Sequence, residues 1–141
     1  LMAGLSENNP KFDINCKRTD GIKIFAIIDK YGITDLSNEN VFRSSSVQNW
    51  LGSRKDDPSF VKSVSPLYYV DEKSPPVFIV HGDADPTVPY KQSVELNKKL
   101  LTYDIKTKFV TVSNGTHGKF SDDEKREINN QIWQFLVELG L

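Results

Sequence analysis

Three short apolar runs, each closed by turn-forming residues, divide this chain. The first, Ile22 to Ile28, is nearly all apolar, as expected for a parallel strand covered on both faces. The second, Val77 to Val80, stops abruptly in His81-Gly82-Asp83-Ala84-Asp85, after which Pro86 and Pro89 forbid the strand from continuing. The third, Lys106 to Val112, alternates and carries Lys106 and Lys108, which suits a strand near a sheet edge.

Between and after these runs the period lengthens to that of a helix. Ser93, Leu96 and Leu100 share one face inside Lys91 to Leu101. The last helix is announced by a capping box, Ser121 with Glu124, and by Asp122 and Asp123 near its positive end. Ile128, Ile132, Phe135, Leu136 and Leu139 then form one apolar stripe, and Gly140 is a suitable terminator. Two short helices are predicted in the long connection between the first two strands, Val47 to Leu51 and one opened by Asp57-Pro58. Leu1 to Leu5 reads as the tail of a helix already under way. There are no repeats, low-complexity tracts or linkers. The alternation predicts one α/β unit over residues 1–141, a mostly parallel sheet flanked by helices and joined by right-handed crossovers.

The 141 residues are enough for a core, and Lys+Arg 18 against Asp+Glu 19 leaves a net charge of -1. No basic block supports binding to nucleic acid or to an anionic membrane, and no apolar segment is long enough for a transmembrane helix. The single cysteine, Cys16, excludes an internal disulfide and any multi-cysteine metal site, and it leaves the compartment open.

Two loops carry candidate chemistry. Asp83 and Asp85 follow the second run, at the carboxyl edge where open α/β sheets place their sites. His117, one of two histidines, lies in Asn114-Gly115-Thr116-His117-Gly118 after the third run. An acid and an imidazole on neighbouring strand tips are two parts of a nucleophilic triad. His81 ends a buried strand and reads as a satisfied structural histidine. Trp50, Tyr68 and Tyr69 read as packing of the long connection rather than as a substrate pocket.

The order Tyr31-Gly32-Ile33-Thr34-Asp35-Leu36, Ser65-Pro66-Leu67, Pro75-Pro76-Val77, His81-Gly82-Asp83-Ala84-Asp85 with Val88-Pro89, Gln92-Ser93, Gly115-Thr116-His117-Gly118 and a final amphipathic helix resembles the C-terminal half of an α/β-hydrolase. The nearest branch holds carboxylesterases, acetyl-xylan and feruloyl esterase-like proteins, and prolyl-oligopeptidase-type peptidases. The resemblance implies that Asp85 is the orienting acid and His117 the general base, with Asp35 the alternate acid because some hydrolases of this fold keep theirs after that strand; by turn chemistry Asp83 reads as making turn or N-cap bonds and Asp35 as organising a loop. It implies hydrolysis of a small or carbohydrate-linked ester, with peptide hydrolysis as the alternative, and no metal or organic cofactor.

No G-x-S-x-G nucleophile turn stands in the sequence; Gly4-Leu5-Ser6-Glu7-Asn8 has its first half only. The resemblance therefore implies a piece of a longer enzyme that starts just after the serine. Such a chain is expected to be inactive alone, because acid and base without a nucleophile cannot form an acyl-enzyme. The strand at Ile22 to Ile28 is then expected to need a cover for its open edge, either the missing N-terminal half or another chain.

Two other readings compete. Asp83-Ala84-Asp85-Pro86-Thr87 fits the D-x-D-x-T signature of haloacid-dehalogenase-type phosphatases, with Asp122-Asp123 as a distal acidic pair for Mg²⁺. Against it, His81-Gly82 separates the apolar run from Asp83, and Asp122-Asp123 already opens a helix. The other reading is a non-catalytic packing module.

Overall fold

The computed structural model describes residues 1–7, 9–12 and 23–141. Its elements follow the order α1 (Met2–Leu5), β1 (Ile27–Lys30), α2 (Glu39–Phe42), α3 (Ser45–Leu51), α4 (Pro58–Ser63), β2 (Val77–Gly82), α5 (Lys91–Thr102), β3 (Thr107–Val112) and α6 (Asp122–Glu138), with short 3₁₀ turns between some of them. The described strands form one parallel sheet in the order β1-β2-β3, with Ile27 opposite Val77 and Val77 opposite Thr107. This is the α/β arrangement expected from the alternation of periods.

The sheet is covered on both faces because β2 is apolar at every position from Val77 to Val80. Val77 and Ile79 point to one side and pack with Leu5, Ile27, Leu96, Leu100 and Ile105. Phe78 and Val80 point to the other, among Val112, Phe120, Ile128 and Phe135. Phe78 and Phe135 meet edge to face at 5.8 Å, so α6 docks through its central aromatic residue. Burying such a side chain contributes about 2–3 kcal/mol. The long connection builds its own satellite cluster from Leu36, Val41, Val47, Leu51 and Val61.

Helix ends follow the expected chemistry. The Ser121 hydroxyl accepts from the Glu124 N–H while the Glu124 carboxylate accepts from Ser121 N–H, a complete capping box. Asp57 caps α4 by accepting from the Phe60 N–H, with Pro58 in the first turn. Gly140 takes a φ of +99° beyond α6.

The first strand differs from its sequence expectation. It runs from Ile27 to Lys30, not from Ile22 to Ile28; residues 23–26 are unpaired and Ile22 lies outside the described residues, as does Cys16. The partner strand explains the shift. The register would place Ala26 and Phe25 opposite Pro76 and Pro75, which have no N–H to give. The ladder therefore begins where the Ile27 N–H donates to the Pro76 carbonyl at 2.9 Å. Phe25 is 47% exposed, whereas Ile27 is buried against Gly4 of α1, where a Cβ would overlap it.

Candidate active site

The site lies at the carboxyl ends of β2 and β3. Parallel strands put both ends on one edge, so the loop after β2 and the loop after β3 face each other. They are tied by main chain: the Asp83 N–H donates to the Val112 carbonyl and the Ala84 N–H to the Gly115 carbonyl, each at 3.1 Å. The Asp83 carboxylate adds a third tie by accepting from the Asn114 N–H at 2.6 Å. Gly82 permits this closeness, since a Cβ there would overlap the Gly115 carbonyl.

Asp85 folds back beneath its own loop. Its Oδ1 accepts from the Thr87 N–H at 2.7 Å and the Val88 N–H at 2.9 Å, an Asx-type turn. Its Oδ2 lies 2.8 Å from His117 Nδ1. A carboxylate has no proton to give, so His117 donates through Nδ1 and presents Nε2 on the other side of the ring. The Asp85 side chain is fully inaccessible, while the His117 side chain is 36% exposed. Burial alone would push the Asp85 carboxyl up; the Val88 N–H, the His117 ring and the Thr87 N–H outweigh it and hold it below the ordinary carboxylate value.

The His117 loop is shaped from outside as well. Asn114 and Gly118 both take positive φ, +55° and +68°. A Cβ at position 118 would overlap the Tyr31 hydroxyl, and the Tyr31 ring meets the imidazole edge to face at 4.7 Å. Tyr31 is itself in the left-handed region at φ +47°, a conformation that costs a bulky residue on the order of 1 kcal/mol or more. Strain beside the imidazole is thus held by the packing of Tyr31 between His117 and Phe120. Tyr31 opens the motif that carries the family resemblance, the one signal by which the sequence points to it.

Below the acid, His81 is completely buried. Its Nδ1 lies 2.7 Å from Ser93 Oγ, and its Nε2 lies 3.0 Å from the Val88 carbonyl and 3.2 Å from Asp85 Oδ2. It is satisfied, as expected, but it also touches the same carboxylate oxygen as His117, which the spacing did not reveal. Burial moves its pKa below the ordinary imidazole value, against the opposing pull of Val88 and Asp85.

The other candidates have structural work. Asp35 accepts from the Ser37 N–H and hydroxyl, and organises the loop after β1. The same loop is pinned to α5 by Gln92, whose side-chain oxygen accepts from the Thr34 and Asp35 N–H groups at 2.8 and 2.7 Å. Asp83 bonds across to the next loop rather than within its own turn. Trp50 does not pack as expected: it is 65% exposed, outside the cluster of the long connection, and borders an apolar cavity of about 340 Å³ with Ile33, Leu36, Val47, Val64 and Pro66. Tyr69 packs on Phe12 and donates to the Ser63 carbonyl. For a phosphatase the carboxylates would have to converge on a metal. Asp85 is instead sealed in its turn, and Asp122 and Asp123 pair with Lys125 and Arg126 along α6. No group of three or more His, Cys, Asp or Glu among the described residues could hold a metal ion. No helix among them is long and apolar enough to cross a membrane.

A parallel sheet flanked by helices, with an acid and an imidazole in contact above adjacent strand tips, is an α/β-hydrolase arrangement. Residues 1–100 match the BD-FAE family, and the chain belongs to that family. A curated relative, Esterase LipQ of Mycobacterium tuberculosis, is 33% identical over 97 residues, 65% of this chain and 23% of that protein. Among solved structures, a truncated form of a carbohydrate esterase from gut microbiota superposes with a TM-score of 0.66 at 28% identity, covering 84% of this chain and 44% of the other. A carboxylesterase from Lactobacillus plantarum shares the fold, with a TM-score of 0.75 at 19% identity over 99% of this chain and 52% of the other. The chain thus spans from about a quarter to about half the length of these relatives.

Proposed function

We propose that the protein to which this chain contributes hydrolyses carboxylic esters by acyl transfer through a serine, with His117 as general base and Asp85 as its orienting acid. The observation that carries this reading is the 2.8 Å contact between the sealed carboxylate of Asp85 and Nδ1 of the partly exposed His117. That bond assigns the proton to Nδ1 and leaves Nε2 bare, the arrangement a base needs. His117 Nε2 takes the proton from the serine hydroxyl as its oxygen attacks the ester carbonyl carbon. It then returns that proton to the departing alcohol, and a water repeats the sequence to release the acid. Asp85 stabilises the imidazolium in between.

The nucleophile and the oxyanion donors come from outside these 141 residues, which contain no G-x-S-x-G. The open side of β1, paired only with β2 among the described residues, is where the completing half would add its strands. The substrate is a carbohydrate-linked ester; the 28% identical carbohydrate esterase favours it. Hydrolysis of p-nitrophenyl acetate and of acetylated or feruloylated oligosaccharides by the full-length protein, with and without His117→Ala, tests the assignment. Unchanged turnover in the variant removes His117 from the mechanism. Peptide amides cleaved in preference to esters would move the protein to the peptidase branch.

A further inference from the structure

Two imidazoles converge on one carboxylate oxygen, and the proposed reaction uses only one of them. His81 Nε2 makes its hydrogen bond with the Val88 carbonyl at 3.0 Å, and Asp85 Oδ2 lies in close polar contact with the same nitrogen at 3.2 Å. A bare nitrogen between two oxygens would be repelled by both, so Nε2 carries the proton. In the neutral ring Nδ1 is then an acceptor, and the Ser93 hydroxyl donates to it at 2.7 Å. The ring is sealed from solvent, with Tyr90 edge-on at 5.8 Å, so nothing competes for these positions.

Asp85 needs such a contact. The two N–H groups that hold Oδ1 come from its own loop, and they leave the carboxylate free to pivot about that oxygen. On the other side His117 sits on a glycine-flanked loop and is 36% exposed. His81 belongs to β2, in the middle of the sheet, and is braced by Ser93 of α5. We propose that His81, locked by Ser93 as the neutral Nε2–H tautomer, is a positioning residue that fixes Asp85 Oδ2 and thereby aims its remaining lone pair at His117 Nδ1. The proposal rests on the esterase reading for its kinetic consequence, not for its geometry. A neutral donor also suits the reaction: when His117 becomes imidazolium, a second positive charge on the same oxygen would oppose it.

The test uses the full-length protein. His81→Leu removes the N–H at similar volume, and His81→Gln keeps a side-chain N–H. The His81→Leu variant is expected to lose roughly ten-fold in kcat with KM unchanged, and His81→Gln to recover most of the loss. In parallel, the low-field proton NMR signal of the His117–Asp85 bond should move in His81→Leu and return in His81→Gln, and ¹⁵N shifts should show His81 protonated on Nε2. A folded His81→Leu protein with wild-type kcat and an unmoved signal overturns the proposal, and so does a His81 ring protonated on Nδ1. If His81→Leu does not fold, Ser93→Ala releases the ring while leaving it in place; kcat and signal both unchanged there overturn the proposal equally. Wild-type protein without ester turnover would refute the esterase reading instead, and the NMR signals would still decide whether His81 holds Asp85.

Discussion

Asp29 lies within β1 and Asp85 in the loop that follows the neighbouring β2; both carboxyls are removed from solvent, and they move in opposite directions. Asp85 accepts from two main-chain N–H groups and one imidazole, and is held below the ordinary carboxylate value. Asp29 has an Oδ2 with no partner among the described residues, and burial pushes its pKa up to about 6 against the Gly32 N–H. Burial alone therefore does not fix the charge of a carboxyl at this edge; the supply of donors does. The loop after β2 provides donors because an Asx turn points two N–H groups inward, whereas the turn after β1 spends its geometry on presenting Tyr31 to His117.

The largest break in this comparison is expected from Asp85→Asn in the full-length protein. The substitution retains an oxygen for the Thr87 and Val88 N–H groups. Its amide either fails to accept from His117 or forces the wrong tautomer. On the proposed mechanism kcat should fall roughly 10³- to 10⁴-fold in steady-state kinetics, while Asp29→Asn leaves kcat within a few-fold. Equal losses in both variants would mean that the two carboxyls do not differ in role.

Stability should separate the pair by sign. Asp29 has a folded pKa raised above its unfolded 3.8, so its contribution is complete below about pH 4 and is lost as pH rises through about 6. Asp29→Asn removes that loss, so the variant should gain on the order of 2–3 kcal/mol over wild type at pH 8 and almost nothing at pH 4, in urea denaturation. For Asp85 the folded value is lowered, so its contribution is present above 3.8 and disappears as pH falls below that. Wild-type melting curves should accordingly show an acid loss that Asp85→Asn lacks.

The smallest effect sharpens the contrast with a third carboxylate on the same edge. Asp83 is exposed, and its carboxylate's one hydrogen bond among the described residues is from the Asn114 N–H. Asp83→Ala should cost about 1 kcal/mol in the melt and slow turnover only a few-fold, by loosening the loop that carries His117. An effect as large as that of Asp85→Asn would move the acid role to Asp83.

How much of this was legible depends on whether a feature is local. The second strand, the capping box and the α5 face are written within a few residues, and each formed where the pattern placed it, with β2 and α5 slightly longer. The start of β1 is not local: it depends on Pro75 and Pro76, some fifty residues downstream, lacking the N–H groups that the apolar run at Ile22 to Ile28 would need. The same holds at the site. Asp85 and His117 were readable from turn residues and family resemblance, and the structure brings them to 2.8 Å. The contact of His81 with Asp85 was not, because it arises only when the loop through Val88 curls back over the end of its own strand. Asp29 is hidden in the sequence for the opposite reason: an acid ending an apolar run looks like an ordinary stop signal, and its missing donor is visible only in three dimensions.

The meeting of Gly82 with the Gly115 carbonyl makes the gap between acid and base a dimension of the polypeptide backbone itself. Side-chain exchange can change which groups stand at positions 85 and 117, but it cannot lengthen or shorten the bridge between them without forcing two adjacent strands apart. Attempts to retune this pair by directed evolution should therefore accumulate changes around the ring and carboxylate, and leave both glycines untouched.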